Sequence, residues 1–277
     1  MDEIGKGRFG QTATSLLRLR PAYLWRMPAP TLMNWSGGKD SALALYHALH
    51  DPRYHVTDLL TSVNAHFQRV SMHGVRVALL EQQAQRIGLP LTKLELPEMS
   101  AMYDYERLMK AVLAPLQARG IRHAVFGDIH LEDLRQYREQ QLARAGMQAV
   151  FPLWQRSGAH LLREYLDLGF RAIVVCVNEK MLDASFCGRE LDADFLRDLP
   201  PGIDACGENG EYHSFVYDAP YFSAPIAVER GELVHRTYTP PAAAQSTCYP
   251  PNGPDEAAAA PPDPSDTGFW YCDLLPV

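Results

Sequence analysis

The positions of hydrophobic residues alternate between two patterns along the chain from Pro30 onward. Short runs of apolar and β-branched residues such as Val56–Val63 are typical of buried strands, whereas apolar residues spaced three and four apart, as in Val75–Ile87, indicate amphipathic helices. Gly88 follows the second stripe directly, and glycine is the residue that most often ends a helix. Up to residue 151 the pattern predicts strands at Thr31–Trp35, Val56–Val63, Leu91–Leu96, His123–Phe126 and Ala149–Phe151, and helices at Ala42–Leu49, Val75–Ile87, Tyr103–Arg119 and Glu132–Ala145.

The order of these elements predicts the fold class. Strands and helices alternate, and strands joined through helices run parallel with right-handed crossovers. We therefore expect an α/β protein with a doubly wound parallel sheet of the Rossmann-like type. Ligands of such sheets bind beyond the carboxyl ends of the strands, and polar segments at 36–41 and 127–128 directly follow two of the predicted strands.

The pattern changes after Trp154. Helices and strands no longer alternate regularly, and a glycine-containing segment at 207–217 interrupts them. We therefore expect a first domain at 29–150 and a second, smaller α+β domain at 151–238. The elements predicted for the second domain are helices at Ala159–Leu168 and Asp192–Leu199, a strand at Arg171–Val177 and a strand pair near Pro225–Tyr238.

Both ends of the chain differ in composition from its middle. The tail at 239–277 contains nine prolines and seven alanines but no Lys or Arg, so we expect it to be disordered to about Thr267. Three adjacent aromatic residues set 268–275 apart, and this segment either docks onto the folded part or is an exposed sticky end. Residues 1–28 carry five basic side chains and lack the long apolar core of a secretory signal, so we expect a disordered leader.

Composition and charge argue against several classes of protein. No segment approaches the roughly 20 consecutive apolar residues that cross a bilayer, so we expect no membrane partner. The five cysteines are an odd number without a Cys-X-X-Cys pair, which favours a cytoplasmic location and argues against disulfides, structural zinc or a cysteine-bound cluster. Residues 29–239 carry 21 basic and 26 acidic side chains, a net charge of −5, which argues against a nucleic-acid partner.

The most informative segment is a polar loop between the first predicted strand and helix. Its two glycines allow a tight turn, its backbone N–H groups and the helix N-terminus can bind an anion, and its serine hydroxyls can donate to phosphate oxygens. Its lysine adds a compact positive charge, and the adjacent aspartate suits Mg²⁺, which prefers carboxylate and phosphate oxygens. The loop is not a Walker A motif, because Met33 stands at the position of the first glycine, and the alternative is an ordinary Gly-Gly turn with a polar N-cap. The loop residues are Ser36, Gly37, Gly38, Lys39, Asp40 and Ser41.

A second concentration of polar groups lies between Glu208 and His213. Two carboxylates, the phenol of Tyr212 and an imidazole fall within six residues. In an extended segment Glu211 and His213 share one face, which suits the deprotonation of ammonium or the binding of a second Mg²⁺. The alternative is a solvated acidic turn that leads into the apolar strand at Phe215.

Further candidates lie at the start of two predicted helices. Asp128, directly after Gly127, is either a metal ligand at the expected cleft or the N-cap of the next helix. His73 either contacts nucleotide or substrate or has a structural role. The helix after Asp128 carries charged residues on one face, suited either to a guanidinium beside a leaving pyrophosphate or to a surface ion pair: Arg135, Arg138 and Glu139.

The Ser-Gly-Gly-Lys-Asp-Ser loop resembles the signature of the PP-loop (N-type) ATP pyrophosphatases, which have a HUP-type α/β fold and cleave ATP between the α and β phosphates. Within this superfamily the chain is similar to the diphthine–ammonia ligase (diphthamide synthase) family over residues 30–238. Family members often carry Gly-Gly-Glu-Tyr-Glu-Thr where this chain has Asn209, His213 and Ser214, a departure that bears on the substrate. The other stretches that carry the resemblance are Ser71–Gly74, Gly127–Ile129 with Arg135, Arg138 and Glu139, Phe151–Trp154 and Gly207–Val216.

The resemblance implies an AMP-forming amide ligase that uses ATP and Mg²⁺. A substrate carboxylate would attack the α phosphate, and ammonia would then displace AMP. Free ammonia is the expected nitrogen donor, because position 2 is Asp2 rather than the cysteine of an N-terminal-nucleophile glutaminase. The acceptor would be a protein side chain, the diphthine of a translation elongation factor. The first domain would bind ATP and the second the substrate, with Lys39, Asp40, Asp128, Glu208 and Glu211 as catalytic residues, Asp40 and Asp128 as metal ligands, and the loop residues 36–41, His73 and Gly127 as nucleotide-binding residues.

Two other functions stay open at the level of sequence. A tRNA-modifying PP-loop enzyme would need a basic surface and, for thiolation, paired cysteines, and the sequence shows neither. A non-enzymatic ATP sensor of the same fold would retain the loop and leave ATP intact. The sequence also leaves a homodimer open and does not name the acceptor.

Overall fold

The computed structural model describes residues 27–70, 74–97, 102–238 and 267–277. Within these ranges the chain forms two β-sheets with helices packed against them. His73, most of the predicted leader and the Pro/Ala-rich part of the tail at 239–266 lie outside the described residues, so the predictions made for them are not tested.

The first sheet contains six strands, and four helices connect or flank them. Its strands are β1 (Ala29–Asn34), β2 (Tyr54–Asn64), β3 (Arg69–Val70), β4 (Leu91–Leu96), β5 (His123–Val125) and β6 (Gln148–Val150). Its helices are α1 (Lys39–His50), α2 (Val77–Ile87), α3 (Met102–Ala118) and α4 (Glu132–Arg144). The predicted elements are confirmed with bounds that differ by three residues or fewer, whereas β3 was not predicted.

Strand β1 lies at the centre of the first sheet. It pairs in parallel with β2 on one edge and with β5 on the other, and β4 and β6 extend the sheet outward in parallel, which confirms the doubly wound α/β prediction. Val63 of β2 pairs with β4 on one edge of the strand and with β3, which runs antiparallel, on the other edge. This second edge is also the one along which β1 pairs with β2. Strand β3 therefore lies beyond the carboxyl end of β1.

The second sheet is antiparallel, with the strand order β8-β7-β10-β9. Together with two helices it forms the smaller α+β part that the sequence predicts. Its elements are α5 (Gly158–Asp167), β7 (Arg171–Asn178), α6 (Ala193–Asp198), β8 (Tyr212–Asp218), β9 (Val228–Tyr238) and β10 (Thr267–Pro276).

The predicted strand pair near Pro225–Tyr238 is wrong. This stretch contains the single strand β9, whose partner is the C-terminal strand β10. Gly231 lies opposite a register shift in β10, and a Cβ at this position would come within 3.2 Å of the Asp273 carbonyl oxygen. The glycine therefore accommodates the shift instead of turning the chain. Strand β10 also contains the aromatic segment 268–275, which docks as an interior strand between β7 and β9.

Two hydrophobic clusters cover the two faces of the parallel sheet, as a sheet of this kind requires. One cluster packs under α3 and α4 and includes Leu32, Leu94 and Leu113. The other includes Leu45 of α1 and Leu80 of α2 and continues without a break into the second sheet at Phe215. The second sheet is thus fixed against α1 and α2. Within the described ranges no helix combines the length and apolar character needed to cross a membrane.

Candidate active site

A cleft of about 350 Å³ opens at the carboxyl ends of β1 and β5. These strands are neighbours, but the chain continues from β1 to β2 on one side and later returns to β5 on the other, so the order of the strands reverses here. Ligands of doubly wound sheets bind at such switch points. The predicted site residues that line the cleft are Ser36, Gly38, Lys39, Asp40, Ser41, Gly127, Asp128 and Glu208.

Gly37 fixes the course of the loop between β1 and α1. Its φ of +80° is unfavourable for side chains, and a Cβ would lie 2.7 Å from both Gln83 Oε1 and a Leu80 methyl. The Gly37 carbonyl accepts hydrogen bonds from Gln83 Nε2 (3.0 Å) and from the backbone N–H of Val216 (2.9 Å). The loop is therefore held by α2 and by β8 of the second sheet.

Serine hydroxyls accept from the first backbone N–H groups of α1. The N–H of Gly38 donates to Ser36 Oγ (3.3 Å), and the N–H of Lys39 donates to Ser214 Oγ (3.2 Å). The Ser36 hydroxyl donates to Ser41 Oγ (3.0 Å), which donates to the Gly38 carbonyl (2.9 Å). Hydroxyl groups rotate and can both donate and accept, so the amides and serines together form a set of donors for an anion at the helix N-terminus.

Gly127 allows the turn after β5 to approach this loop. A Cβ at Gly127 would lie 2.8 Å from the Asp40 carbonyl carbon and 2.9 Å from the Ser41 nitrogen, closer than any side chain permits. The absence of a side chain thus brings Asp128 to the same cleft as Lys39 and Asp40.

Lys39 and Asp40 form an ion pair inside the cleft. Lys39 is only 4 % exposed, its Nζ lies 2.8 Å from Asp40 Oδ2, and it also lies 5.0 Å from the centre of the Tyr212 ring. Burial, the largest single effect, would lower the pKa of Lys39, but the nearby acidic groups, Asp40 foremost, together outweigh it and raise the pKa above its ordinary value. Lys39 is therefore a permanent positive charge at the phosphate loop.

Asp128 offers an oxygen without a hydrogen bond of its own. Its side chain is 7 % exposed, its Oδ1 accepts from Arg138 Nε (3.2 Å), and its buried Oδ2 lies 3.0 Å from the same nitrogen as an ion-pair contact but accepts no hydrogen bond from any described residue. A ligand or a water can supply the hydrogen bond that this atom lacks. Two carboxylates beside a phosphate-binding loop suit Mg²⁺, which completes its shell with phosphate oxygens and water. No larger group of His, Cys, Asp and Glu side chains among the described residues could hold a metal alone.

Glu208 reaches the cleft from the segment before β8. Its Oε1 accepts from the backbone N–H of Ile129 (2.8 Å), which ties this segment to the turn that carries Asp128. Burial, together with the nearby carboxylate of Asp40, raises the pKa of Glu208 to about 7. The side chain can therefore both take up and release a proton near neutral pH.

Glu211 does not lie at the cleft, which corrects the expectation that it faces a ligand together with His213. It is 1 % exposed, and its carboxylate accepts from the backbone N–H groups of Asp204 (3.1 Å) and Asn209 (2.9 Å) and from the Asn209 side chain. His213 lines the cleft instead. Glu211 folds the loop before β8, because its oxygens meet N–H groups that would otherwise lie buried without partners.

The charged residues of α4 separate into two roles. Arg135 forms an i,i+4 ion pair with Glu139 (2.9 Å) and lies 4.6 Å from the Trp154 ring, as the surface ion-pair alternative predicts. Arg138 turns toward the cleft, where it contacts Asp128 and lies 4.5 Å from the Phe126 ring. Arg138 is thus the one of these two arginines that can meet a ligand in the cleft.

Comparison with known protein families assigns the two parts of the chain separately. Residues 30–149 match the diphthamide synthase N-terminal domain, and residues 157–239 match the diphthamide synthase C-terminal domain. The chain belongs to the diphthamide synthase family. The matched regions contain the phosphate loop, the Asp128 turn and the Glu208 segment, so the cleft is built from parts that the family shares.

Curated relatives carry the name diphthine–ammonia ligase. The bovine protein (Bos taurus) is 32 % identical over 153 residues, which are 53 % of this chain and 55 % of the relative. The human protein (Homo sapiens) is 32 % identical over 149 residues, 52 % of this chain and 53 % of the relative. The rat protein (Rattus norvegicus) is 28 % identical over 234 residues, 72 % of this chain and 82 % of the relative. The chain thus spans little more than half the length of the first two relatives.

Two residues of this diphthamide synthase family member were not predicted as part of the site. Gln83 is completely buried on α2, accepts from Trp35 Nε1 (2.9 Å) and donates to the carbonyls of Gly37 and Val216. Ser214 accepts from the first N–H of α1. A signal for Gln83 does exist, since a glutamine on the apolar stripe of a helix must find hydrogen-bond partners once it is buried.

Proposed function

We propose that this chain is an ATP-dependent, AMP-forming amide ligase that activates a carboxylate and transfers ammonia to it. The observation that carries the proposal is the meeting of the Ser36–Ser41 loop, Asp128 and Glu208 at one switch-point cleft. The name of the relatives, diphthine–ammonia ligase, supports diphthine as the acceptor and ammonia as the nitrogen donor.

The loop and its neighbours bind the triphosphate of ATP. The N–H groups at the start of α1, the hydroxyls of Ser36 and Ser41 and the charge of Lys39 supply donors at one side of the cleft. Arg138 supplies a guanidinium at the other side. These fixed positive groups stabilise the charge that develops on the departing pyrophosphate.

Asp40 and Asp128 hold Mg²⁺ in this proposal. The bound ion supplies further neutralisation of phosphate charge. The Oδ2 of Asp128, which accepts no hydrogen bond from the described residues, and the exposed part of the Asp40 carboxylate are the atoms that this chain contributes.

The reaction proceeds in two displacements. An acceptor carboxylate oxygen forms a bond to the α phosphorus while the bond from that phosphorus to the bridging oxygen breaks, and pyrophosphate leaves. Ammonia then attacks the acyl carbon, the bond to AMP breaks, and the nitrogen loses a proton to yield the amide. Glu208 lies in the cleft and accepts this proton.

Pyrophosphate and AMP release tests the proposal. The full chain is incubated with ATP, Mg²⁺, ammonium and a diphthine-bearing elongation factor, and both products and the mass of the acceptor are followed. We expect equal amounts of AMP and pyrophosphate and conversion of one carboxylate to an amide. The variant Lys39→Met abolishes all three, whereas Lys180→Met, an exposed lysine, serves as the matched control. Retention of intact ATP under these conditions would exclude the ligase and favour a sensor.

A further inference from the structure

The C-terminal strand lies outside the regions that match the family. The second matched domain ends at residue 239, whereas β10 begins at Thr267 and inserts between β7 and β9. Two of its side chains also reach the first sheet, where they contact residues on either side of the 71–73 segment. The strand therefore connects the second sheet to the wall of the cleft.

The contacts are made by Tyr271 and Asp273, which lie two residues apart on β10. Gly74 packs so closely on Tyr271 that a Cβ at the glycine would lie 2.9 Å from the ring. The Asp273 carboxylate accepts from Arg69 (3.0 Å) and, with both oxygens, from Arg76 (3.1 and 2.5 Å). These are charge-assisted hydrogen bonds, the stronger kind.

The two arginines need such a partner. Arg69 and Arg76 lie opposite each other in an antiparallel bridge, which we call the arginine bridge, and like charges in directly opposed positions destabilise a β pair. Asp273 places a negative charge against both, and its pKa falls because the two guanidinium groups outweigh the opposite effect of burial. The carboxylate thus remains ionised and offsets the repulsion between the two arginines of the bridge.

The arginine bridge lies next to the cleft, although neither of its arginines lines it. Val70, directly after Arg69, lines the cleft, and Arg76 is the N-cap of α2, the helix that carries Gln83. Gln83 in turn holds the Gly37 carbonyl of the phosphate loop. One carboxylate on β10 therefore fixes both a wall residue of the cleft and the start of the helix that supports the loop.

We propose that Asp273 is a positioning residue for nucleotide binding, acting through Arg69 and Arg76. This inference rests on the proposed function, because ATP is the ligand concerned. The C-terminal strand then contributes to the nucleotide-binding site as well as to the second sheet.

The test compares variants of the full chain. Asp273→Asn keeps the shape and removes the charge, Asp273→Glu restores the charge, and Arg76→Gln removes one partner. Asp198→Asn is the control, because Asp198 is also a carboxylate beside two arginines, Arg189 (2.8 Å) and Arg197 (3.4 Å), but lies in the second half of the chain away from the arginine bridge. ATP affinity with Mg²⁺ is measured by calorimetry, thermal midpoints are recorded, and hydrogen exchange is followed at the N–H groups of Val70, Gly74 and Val77.

We expect Asp273→Asn and Arg76→Gln to weaken ATP binding by about tenfold, the size of one charge-assisted hydrogen bond, and to speed exchange at the three N–H groups. Asp273→Glu should restore affinity to within about twofold, whereas Asp198→Asn should leave both the ATP affinity and the exchange at the three N–H groups unchanged. Unchanged affinity and exchange in Asp273→Asn would overturn the inference. If the wild-type chain binds no ATP, the proposed function fails and the role of Asp273 in nucleotide binding fails with it, while the exchange data still decide whether Asp273 holds the arginine bridge.

Discussion

The acidic side chains of the cleft differ in their neighbours and therefore in their chemistry. Asp40 forms an ion pair with Lys39 at 2.8 Å, and both carboxylate oxygens of Asp128 contact Arg138 Nε (3.0 and 3.2 Å). Among the described residues Glu208 forms no ion pair, and its side chain accepts a hydrogen bond from the backbone N–H of Ile129. The two aspartates each lie beside a cationic side chain, whereas Glu208, whose pKa is raised to about 7 by burial, is suited to exchange a proton.

Replacing Asp128 by Asn tests the proposed binding of Mg²⁺ separately from folding. The amide keeps the volume and the contact with Arg138 but removes the negative charge that suits Mg²⁺. We expect Asp128→Asn to lower the rate of pyrophosphate release by about 100-fold, as when one charge-stabilising group of an active site is lost. Steady-state kinetics at varied Mg²⁺ measures this effect. The control is Asp133→Asn, an exposed aspartate in the first turn of α4, and equal loss in both variants would contradict the assignment.

The pKa of Glu208 leads to a prediction about stability and pH. In the folded chain burial raises the pKa to about 7 from an ordinary value of 4.5, so folding disfavours the ionised form. The contribution of Glu208 to the free energy of unfolding must then fall as the pH rises from 4.5 to 7, and this fall is complete above 7. Glu208→Gln removes this loss, so the variant should gain stability over the wild type at pH 8 but not at pH 4.5. Urea unfolding at both pH values checks this, and parallel curves would contradict it.

At the residue scale the sequence predicted the residues that face the cleft better than the buried residues that hold them in place. The phosphate loop, Asp128 and Glu208 were predicted from their clusters of glycine, lysine and carboxylate residues, and the fold brings them to one cleft. Glu211 was misplaced, because alternation along an extended segment holds only within β8, and Glu211 precedes that strand. Gln83 was missed since its partners are far away in sequence, and only the fold brings Gly37 and Val216 to it.

Helix α2 acts as the element that joins the loop to the second sheet. Its buried side holds Gln83 between Trp35, Gly37 and Val216, while its N-cap Arg76 meets β10. Through one helix, the position of the phosphate loop depends on strands of both sheets.

Gln83→Leu should show how much this connection contributes. The change leaves the buried N–H of Trp35 without its partner and removes one hydrogen bond from each of two carbonyls, of which that of Gly37 keeps the bond from the Val216 N–H. A buried unsatisfied group costs about 1–3 kcal/mol. We expect the free energy of unfolding to fall by at least about 2 kcal/mol. Gln85→Leu, on the exposed side of the same helix, is the control. Denaturant unfolding that gives similar values for both variants would contradict the role of Gln83.

Local patterns determined the regular elements of the first sheet but not the edges. Strand β3 has two residues, too few to show the alternating pattern of a strand. Strand β9 contains Gly231, and a glycine within a strand-like segment suggests a turn unless the partner strand β10 is known. Strand β10 follows a Pro/Ala-rich segment, so its pairing with β7 and β9 is a long-range choice that no local pattern expresses. Its aromatic residues did indicate that it can be buried.

At the scale of the molecule, the two sheets meet around one cleft. The first sheet supplies the phosphate loop and the Asp128 turn, and the second supplies Glu208, Ser214 and the contact of β10 with the arginine bridge. The net charge of −7 provides no general attraction for a triphosphate. Affinity must therefore come from local donors, which explains why a lysine, an arginine and the N-terminus of α1 converge on an acidic protein's cleft.

The path of one oxygen atom tests the ligase proposal most directly. If an acceptor carboxylate attacks the α phosphorus and ammonia later displaces AMP, one carboxylate oxygen must leave with the phosphate. The full chain is therefore given ATP, Mg²⁺, ammonium and an acceptor labelled with ¹⁸O in its carboxylate, and the AMP is analysed by mass spectrometry. The proposal predicts AMP that carries one ¹⁸O for each amide formed. Unlabelled AMP, or ADP in its place, would contradict it.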